Sequence, residues 1–426
     1  MADKKLYNKD SIESLDPLQF TRLRPGVYAG DTTYSTQLLV EIFSNAVDEF
    51  RLGHGDKIEV AVNLDEHMCV VTDHGQGFIP NSFRDDGKTI LEAAFSVLNT
   101  SGKYREDGTY EGTSLGSFGI GSKITTFLSH ELNVSTCRDG MCERISFVEG
   151  IFKDRKVTKV KGNGTSVQWK PSEEFFKNVD PDINELKRLF TTVSCLCPGL
   201  TIEFHIIKDN KDNEIKYFSK NGLSDLADSL VGNKEIIKNR MRVVDEQGKS
   251  KIDLILTYTS NYSSTIVPYV NTGLTETGPH ITQLKTCITR EMNKFFREKK
   301  WLKEKDENLS GDDVQEGMFM VFNMTAPSVS YDAQVKSRIT AIDMKPFTTM
   351  FVEGLTNWLS SNEKELKVIA EKAINARKAR DAAKRARDNI RKKTEKKSVL
   401  KLPSKLTDAW SKDREKCEIF ITEGRR

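Results

Sequence analysis

Glu41-Ile42-Phe43-Ser44-Asn45-Ala46-Val47-Asp48-Glu49 is the stretch on which the reading of this chain turns. Wound at about 100° per residue, it places Glu41, Asn45 and Asp48 within a sector of roughly 60°. Leu39, Ile42, Phe43, Ala46, Val47 and Phe50 fall on the other side. One face therefore buries apolar surface, and the other presents two carboxylates and an amide in a line. Those groups suit a base that polarises water beside a hard-cation ligand. For the helix alone an ordinary solvated face is the commoner explanation, so the rest of the chain has to decide.

The 426 residues are enough for two or three domains, each with its own core. The formal net charge is only +3, which by itself does not announce a nucleic-acid partner. The charge is uneven, however: Arg377 to Lys397 holds eleven Lys/Arg against three Asp/Glu. The seven cysteines are scattered, and Cys195-Leu196-Cys197 is too tight for the usual zinc knuckle. There is no signal-like apolar region and no membrane-length run. The expectation is an intracellular, cytoplasmic, soluble protein without a membrane partner, its cysteines reduced and structural.

Residues 1–20 are polar and open no clear element, with Tyr7 and Ile12 standing out in an arm. Arg24 to Gly30 reads as a turn-rich loop before a helix at about 35–50. Lys57–Val62 and Met68–Thr72 are predicted strands. The second runs into Asp73-His74-Gly75-Gln76-Gly77-Phe78-Ile79-Pro80. An acid at a strand end, followed by two glycines, can bond a flat base while backbone approaches it closely; a tight turn explains the pattern about as well.

Ser101-Gly102-Lys103-Tyr104 follows, then Tyr110 and the stretch Gly112 to Lys123, with its G-x-x-G-x-G spacing opening a helix at Ser122–Leu128. Backbone amides at a helix start cradle phosphate. Neither the Walker nor the Rossmann pattern is present, and a purely structural loop is the competing reading. Strands are predicted at Glu131–Thr136, Glu143–Val148 and Thr165–Trp169. The first 220 residues thus read as helices over a largely antiparallel sheet, an α+β arrangement. Further strands are expected at Ile252–Tyr258, Ile266–Val270 and Met318–Met324, framed by helices at Ile281–Lys299 and Pro346–Ile390.

Together the stretches E-x-x-x-N-x-x-D, D-x-G-x-G, G-x-x-G-x-G and the Gly164-Thr165 pair resemble, in order, the GHKL ATPases. Arg24-Pro25-Gly26-Val27-Tyr28-Ala29-Gly30 is similar to the R-P-G-M-Y-I-G of the gyrase B and topoisomerase IV ParE subunits of type IIA DNA topoisomerases. Ser101 to Tyr104 resembles their G-G-K-F, Gly311 to Gly317 their G-D-D-x-R-E-G, and Gln334-Val335-Lys336 their Q-T-K loop. Leu402-Pro403 and Ile419–Gly424 resemble the lead into their Toprim domain. The resemblance implies a GHKL ATPase α/β sandwich followed by a ribosomal-S5-like transducer. The expected divisions are an arm at 1–20, the ATPase domain at 21–220, the transducer at 221–395, and a linker with the start of a truncated Toprim domain at 396–426.

The resemblance also implies roles. Glu41 would be the general base and Asn45 the Mg²⁺ ligand, with Asp48 beside them. Asp73 would accept from the adenine amino group of ATP, assisted by Thr165 through a water. Gly75 and Gly77 would keep the base pocket open, and Ile79 would pack on the adenine. Gly116, Ser117, Phe118, Gly119, Ile120, Gly121 and Ser122 would cradle the phosphates, with Lys103 and Tyr110 at the rim. Lys336, positioned by Gln334, would reach the γ-phosphate, while Tyr7 and Ile12 would embrace a second copy in an ATP-bound homodimer. The implied partners are double-stranded DNA, met without sequence reading by the basic run, and a gyrase A or ParC-like cleavage subunit. That basic run has the competing reading of a solvated helix face.

Departures from the family pattern are Ser44 for an aspartate, His74 and Gln76 within D-x-G-R-G, Glu111 for a basic residue, and Phe78 inserted before Ile79. Core catalysis is expected to survive them, in a phage or otherwise divergent member. Arg425-Arg426 follow Glu423-Gly424, and no D-x-D cluster is present. The sequence is therefore expected to be a piece ending at the Toprim border and unable to cleave DNA by itself. A GHKL clamp of chaperone or mismatch-repair type is the alternative, disfavoured by the transducer and Toprim-border motifs. A histidine kinase is disfavoured by Glu41 and by the lack of a preceding phosphoacceptor domain.

Overall fold

The computed structural model describes residues 15–98, 100, 119–332, 337–398, 409–411 and 413–421, with the side chains of 393–398 left aside. The chain opens with α1 (Pro17–Leu23) and α2 (Pro25–Ala29). Both lie where the sequence reading expects irregular chain. Asp16 explains the first: its carboxylate accepts from Gln19 N at 2.9 Å, and Pro17 is pre-set for a first helical turn.

The key helix, α3 (Thr36–Arg51), is followed by β1 (Lys57–Asn63), β2 (Met68–Asp73) and α4 (Ile90–Ser96). Next come α5 (Gly121–Phe127), β3 (Ser129–Arg138), β4 (Met141–Val148), β5 (Ile151–Lys159) and β6 (Gly164–Pro171). The first unit closes with α6 (Ile183–Leu196), β7 (Thr201–Lys208) and β8 (Lys211–Tyr217). Its eight strands lie in the order β5-β4-β3-β6-β2-β1-β7-β8, antiparallel throughout except where β1 meets β7. Burial alternates along β1, so that Ile58, Val60 and Val62 point into the core beneath α3 and α6 while Lys57 and Glu59 face outward.

The second unit contains α7 (Leu223–Val231), β9 (Met241–Gln247), β10 (Ser250–Tyr258), β11 (Thr265–Val270), β12 (Gly273–Leu274) and α8 (Pro279–Glu298). It continues with α9 (Gly311–Gln315), β13 (Met318–Thr325), β14 (Val329–Tyr331), β15 (Ile339–Ile342), α10 (Lys345–Ser361) and α11 (Glu363–Ser398). Five strands form the sheet β12-β11-β13-β10-β9, and β14 pairs with β15 as a separate ribbon. The run Met318–Phe322 is buried throughout because helices cover both faces. Met320 and Phe322 join the core with α8 and α10, and Phe319 and Val321 meet α7 and the end of α6.

Two further expectations are corrected. The single helical stretch Pro346–Ile390 is two helices, broken at Asn362, whose side-chain amide donates back to Trp358 O at 2.9 Å while its backbone carbonyl accepts from Glu365 N and Leu366 N. One asparagine thus ends α10 and starts α11. The cysteines are not all reduced: Cys137 and Cys142 face each other across the β3–β4 pair and are joined as a disulfide. Directly opposed positions bring the two Cβ atoms within bonding range, a relationship visible only once the hairpin register is known. No described helix is long and apolar enough to cross a membrane.

Candidate active site

Helix α3 lies against β2 and α5 and leaves a cavity of about 610 Å³ beside its polar face. Glu41, Asn45 and Glu49 line it from α3; Asp73, Gln76, Gly77, Phe78 and Ile79 from the exit of β2; Gly119 to Lys123 from the start of α5; and Arg138 and Thr165 from β3 and β6. The pattern separated by a hundred residues of sequence is therefore one pocket. Asp48 is not among the lining residues. It is 2% exposed, on the buried side of α3, and Glu49 takes the place expected for it.

Glu41 is held at one oxygen and abuts the backbone with the other. Gln37 Nε2, one helical turn earlier, donates to Oε1 at 2.8 Å. Oε2 lies against Gly121, where an added Cβ would overlap it and stand 2.8 Å from Cδ. A side chain at 121 would therefore push the carboxylate out of the pocket. Asn45 follows on the same face, exposed to the cavity.

Asp73 ends β2, and its Oδ1 accepts from Gly75 N at 2.9 Å and Thr165 N at 3.2 Å. Burial pushes this carboxyl up to about 6 against the pull of those two amides, with the Glu49 charge adding to the rise. Gly77 has φ +69, and a Cβ there would collide with Cys137 O and lie 3.0 Å from Gly164 O. Its glycine is thus imposed by the strands packed beneath the loop. Gly75, buried under Glu49, does not line the cavity. Phe78 packs on the core while Ile79 is 51% exposed, so both offer apolar surface but only Phe78 is fixed by packing.

Four lining or supporting residues escape the sequence reading. Gln37 is legible as the residue four before Glu41, a helical neighbour. Lys123 is 2% exposed, donates to Thr100 O at 2.7 Å, and is pulled down to about 8 by burial. Glu49 has the same signal as Gln37, four residues after Asn45 on α3, whereas Arg138 has none and reaches the pocket only through the β3 register, donating to Gly77 O at 3.4 Å. Tyr7, Ile12, Lys103, Tyr110, Gly116, Ser117, Phe118, Gln334 and Lys336 lie outside the described residues.

A family model described as DNA gyrase B matches residues 222–389, the second unit. DNA gyrase B of Enterococcus faecalis is 32% identical over 98% of this chain, which spans 66% of that relative. DNA gyrase B of Thermotoga maritima is 32% identical over 98% of this chain, which spans 67% of its length. The chain belongs to the DNA gyrase B family.

A solved structure of the 43K ATPase domain of Thermus thermophilus gyrase B, bound to an aminocoumarin, is 25% identical with a TM-score of 0.68. The match covers 87% of this chain and 97% of that one. Gyrase B family membership thus rests on both units in colinear order. The architecture is the α+β arrangement of that gyrase B ATPase-domain structure. The family model matches only the second unit, and the pocket lies in the first.

Proposed function

We propose that this chain binds and hydrolyses ATP as the nucleotide-gated dimerisation portion of a type II DNA topoisomerase. The observation that carries the reading is the placement of Glu41, steadied by Gln37, against the backbone at Gly121, with Asn45 and Asp73 in the same cavity. Asp73, ionised at neutral pH, accepts from the adenine amino group, and Thr165 keeps it oriented. The backbone from Gly119 to Ser122 meets the phosphates, and Gly116, Ser117 and Phe118 are proposed to assist it. The buried Lys123 ammonium exchanges the Thr100 carbonyl for phosphate charge. Glu41 takes the proton of the attacking water.

The donors present fit Mg²⁺. Asn45 offers a hard oxygen, and the only His/Cys/Asp/Glu cluster among the described residues lies elsewhere, at Glu203, His205 and Glu214. A site with one protein oxygen suits an ion that keeps waters and takes phosphate ligands. When bound, it supplies charge neutralisation on the triphosphate.

Lys336, positioned by Gln334, is proposed to reach the γ-phosphate from the second unit, with Lys103 and Tyr110 at the rim and Tyr7 and Ile12 embracing a second copy. The two units are proposed to act as domains meeting near residue 220. Double-stranded DNA is the proposed cargo, met through phosphates in the cytoplasm, with a gyrase A or ParC-like subunit supplying cleavage. On α11, Arg377 and Arg380 are spent on Glu307 O at 2.8 Å and Asp313 at 3.0 Å, whereas Lys384, Arg385, Arg387, Arg391 and Lys392 are exposed. A second basic surface, a groove of about 660 Å³, carries Lys285, Arg290, Lys294 and Arg297 of α8.

The test is ATPase rate against protein concentration for wild type and Glu41→Ala, with sizing in a non-hydrolysable ATP analogue. A rate that rises faster than linearly, vanishes in Glu41→Ala and accompanies analogue-induced dimerisation supports the reading. Hydrolysis unaffected by Glu41→Ala removes the catalytic assignment, and a monomer in saturating analogue removes the gate.

A further inference from the structure

Helix α3 carries Glu41 and Asn45 in its middle and Arg51 at its C-terminal end, and the Arg51 side chain reaches into the second unit. Its Nη1 donates to Asn271 O at 3.1 Å, in the turn between β11 and β12, and Nη2 reaches Thr325 Oγ1 at 3.5 Å, at the end of β13. The helix between is a stiff connection. It has neither proline nor glycine, and Leu38, Leu39, Ile42, Phe43, Ala46 and Val47 are buried along it. From residue 41 to residue 51 it spans about 15 Å at the usual rise.

The far end of that contact is built to receive a push. Asn271, 4% exposed and at φ 52, occupies the tight turn between β11 and β12. Its side chain clamps the chain leaving β13: Nδ2 donates to Ala326 O at 3.1 Å, and Oδ1 accepts from Ala326 N at 3.0 Å. Asn271 N donates to Met324 O at 2.8 Å. Ala326 is the root of the β14–β15 ribbon, and the Arg51 charge is felt there by Tyr331 on β14. A guanidinium with several fixed donors spans a carbonyl and a hydroxyl together, which a lysine does not.

We infer that Arg51 is a positioning residue that couples nucleotide occupancy on α3 to the Asn271–Ala326 clamp of the second unit. The inference rests on the proposed nucleotide site. Residues 333–336 carry no part of it. When contacts to Glu41 and Asn45 shift α3, Arg51 carries the displacement to the turn and the ribbon root; without Arg51 the site still fills but the second unit is not informed.

Hydrogen exchange with and without the non-hydrolysable analogue tests this in wild type, Arg51→Ala and Arg51→Lys, alongside analogue affinity and kcat. In wild type the analogue is expected to raise protection both around α3 and at 268–275 and 324–331. Arg51→Ala keeps analogue affinity within threefold and retains protection around α3. It loses the protection at 268–275 and 324–331, and its kcat falls about tenfold. Arg51→Lys restores part of both. If Arg51→Ala does not fold, Arg51→Met preserves the stem packing and carries the same comparison. Protection in the alanine variant equal to wild type overturns the coupling, as does affinity falling in parallel with protection. Wild-type protein that fails to bind the analogue overturns the nucleotide reading itself, so the two failures are separable.

Discussion

Glu41 and Gly121 share one position in space: the carboxylate occupies the volume that any side chain at 121 would need. Gly121→Ala should therefore displace the base while leaving the adenine end of the pocket intact. A fall in kcat of at least about 100-fold, with analogue affinity within about fivefold of wild type, is the expected outcome. Loss of affinity with kcat unchanged would show that position 121 matters for binding alone.

Gln37 fixes the direction in which Glu41 points, through the bond to Oε1 at 2.8 Å. Removing a hydrogen bond to a charged group costs roughly 1.5–3 kcal/mol, so Gln37→Ala should slow kcat by about tenfold or more with little change in KM. Steady-state kinetics at saturating ATP checks it; a change confined to KM would assign Gln37 to binding.

Asp73 should trade stability for recognition. Its folded carboxyl stands near 6 against an ordinary 3.8, so the folded state favours the neutral form. Ionisation then costs stability, beginning as pH rises through 3.8 and complete above about 6. That difference corresponds to about 3 kcal/mol at most. Asp73→Asn, which keeps an oxygen for Gly75 N and Thr165 N, is expected to raise the Tm of the nucleotide-free protein at pH 7 and to weaken ATP binding. Wild-type affinity should decline as pH falls through about 6. Thermal shift and titration calorimetry at pH 5 and 7 check both signs.

Lys123 faces the cavity with an ammonium held near 8 by burial. Lys123→Met should weaken ATP by about tenfold yet leave adenosine within twofold, because only the phosphates lose a charged partner. In the nucleotide-free protein the ammonium fraction falls as pH rises through about 8, so the ATP-over-adenosine preference should narrow there. Equal losses for the two ligands would place Lys123 in packing alone.

The Cys137–Cys142 bond closes a very short loop, for which chain-entropy arguments give about 2 kcal/mol. A thiol reductant is expected to lower Tm by several degrees in wild type and to have no such effect in Cys142→Ser.

Much of this was legible because local chemistry and tertiary structure agree. The apolar face of α3, the alternation along β1 and the glycine-led start of α5 each announce themselves within ten residues. Asp48 misled because helical periodicity fixes a sector and not which edge of it faces a neighbour; the core beneath α3 claims Asp48 and leaves Glu49 to the pocket. Arg138 and the disulfide depended on hairpin register, and Arg51 on a contact with Asn271, 220 residues away. The break at Asn362 carries a local signal that periodicity alone passes over: asparagine is disfavoured inside a helix and favoured at its start, and Glu365 follows three residues on.

The parallel pairing of β1 with β7 has a consequence for biosynthesis. Lys57 waits for Thr201, its partner across that ladder, while 144 residues are added. At 5–20 residues per second the β1 edge stays uncovered for roughly 7–30 s on the ribosome. Its buried residues Ile58, Val60 and Val62 make it a sticky edge for that interval. Yield of this chain should therefore depend on translation speed between residues 63 and 201 and on chaperone supply, even where the finished fold is stable.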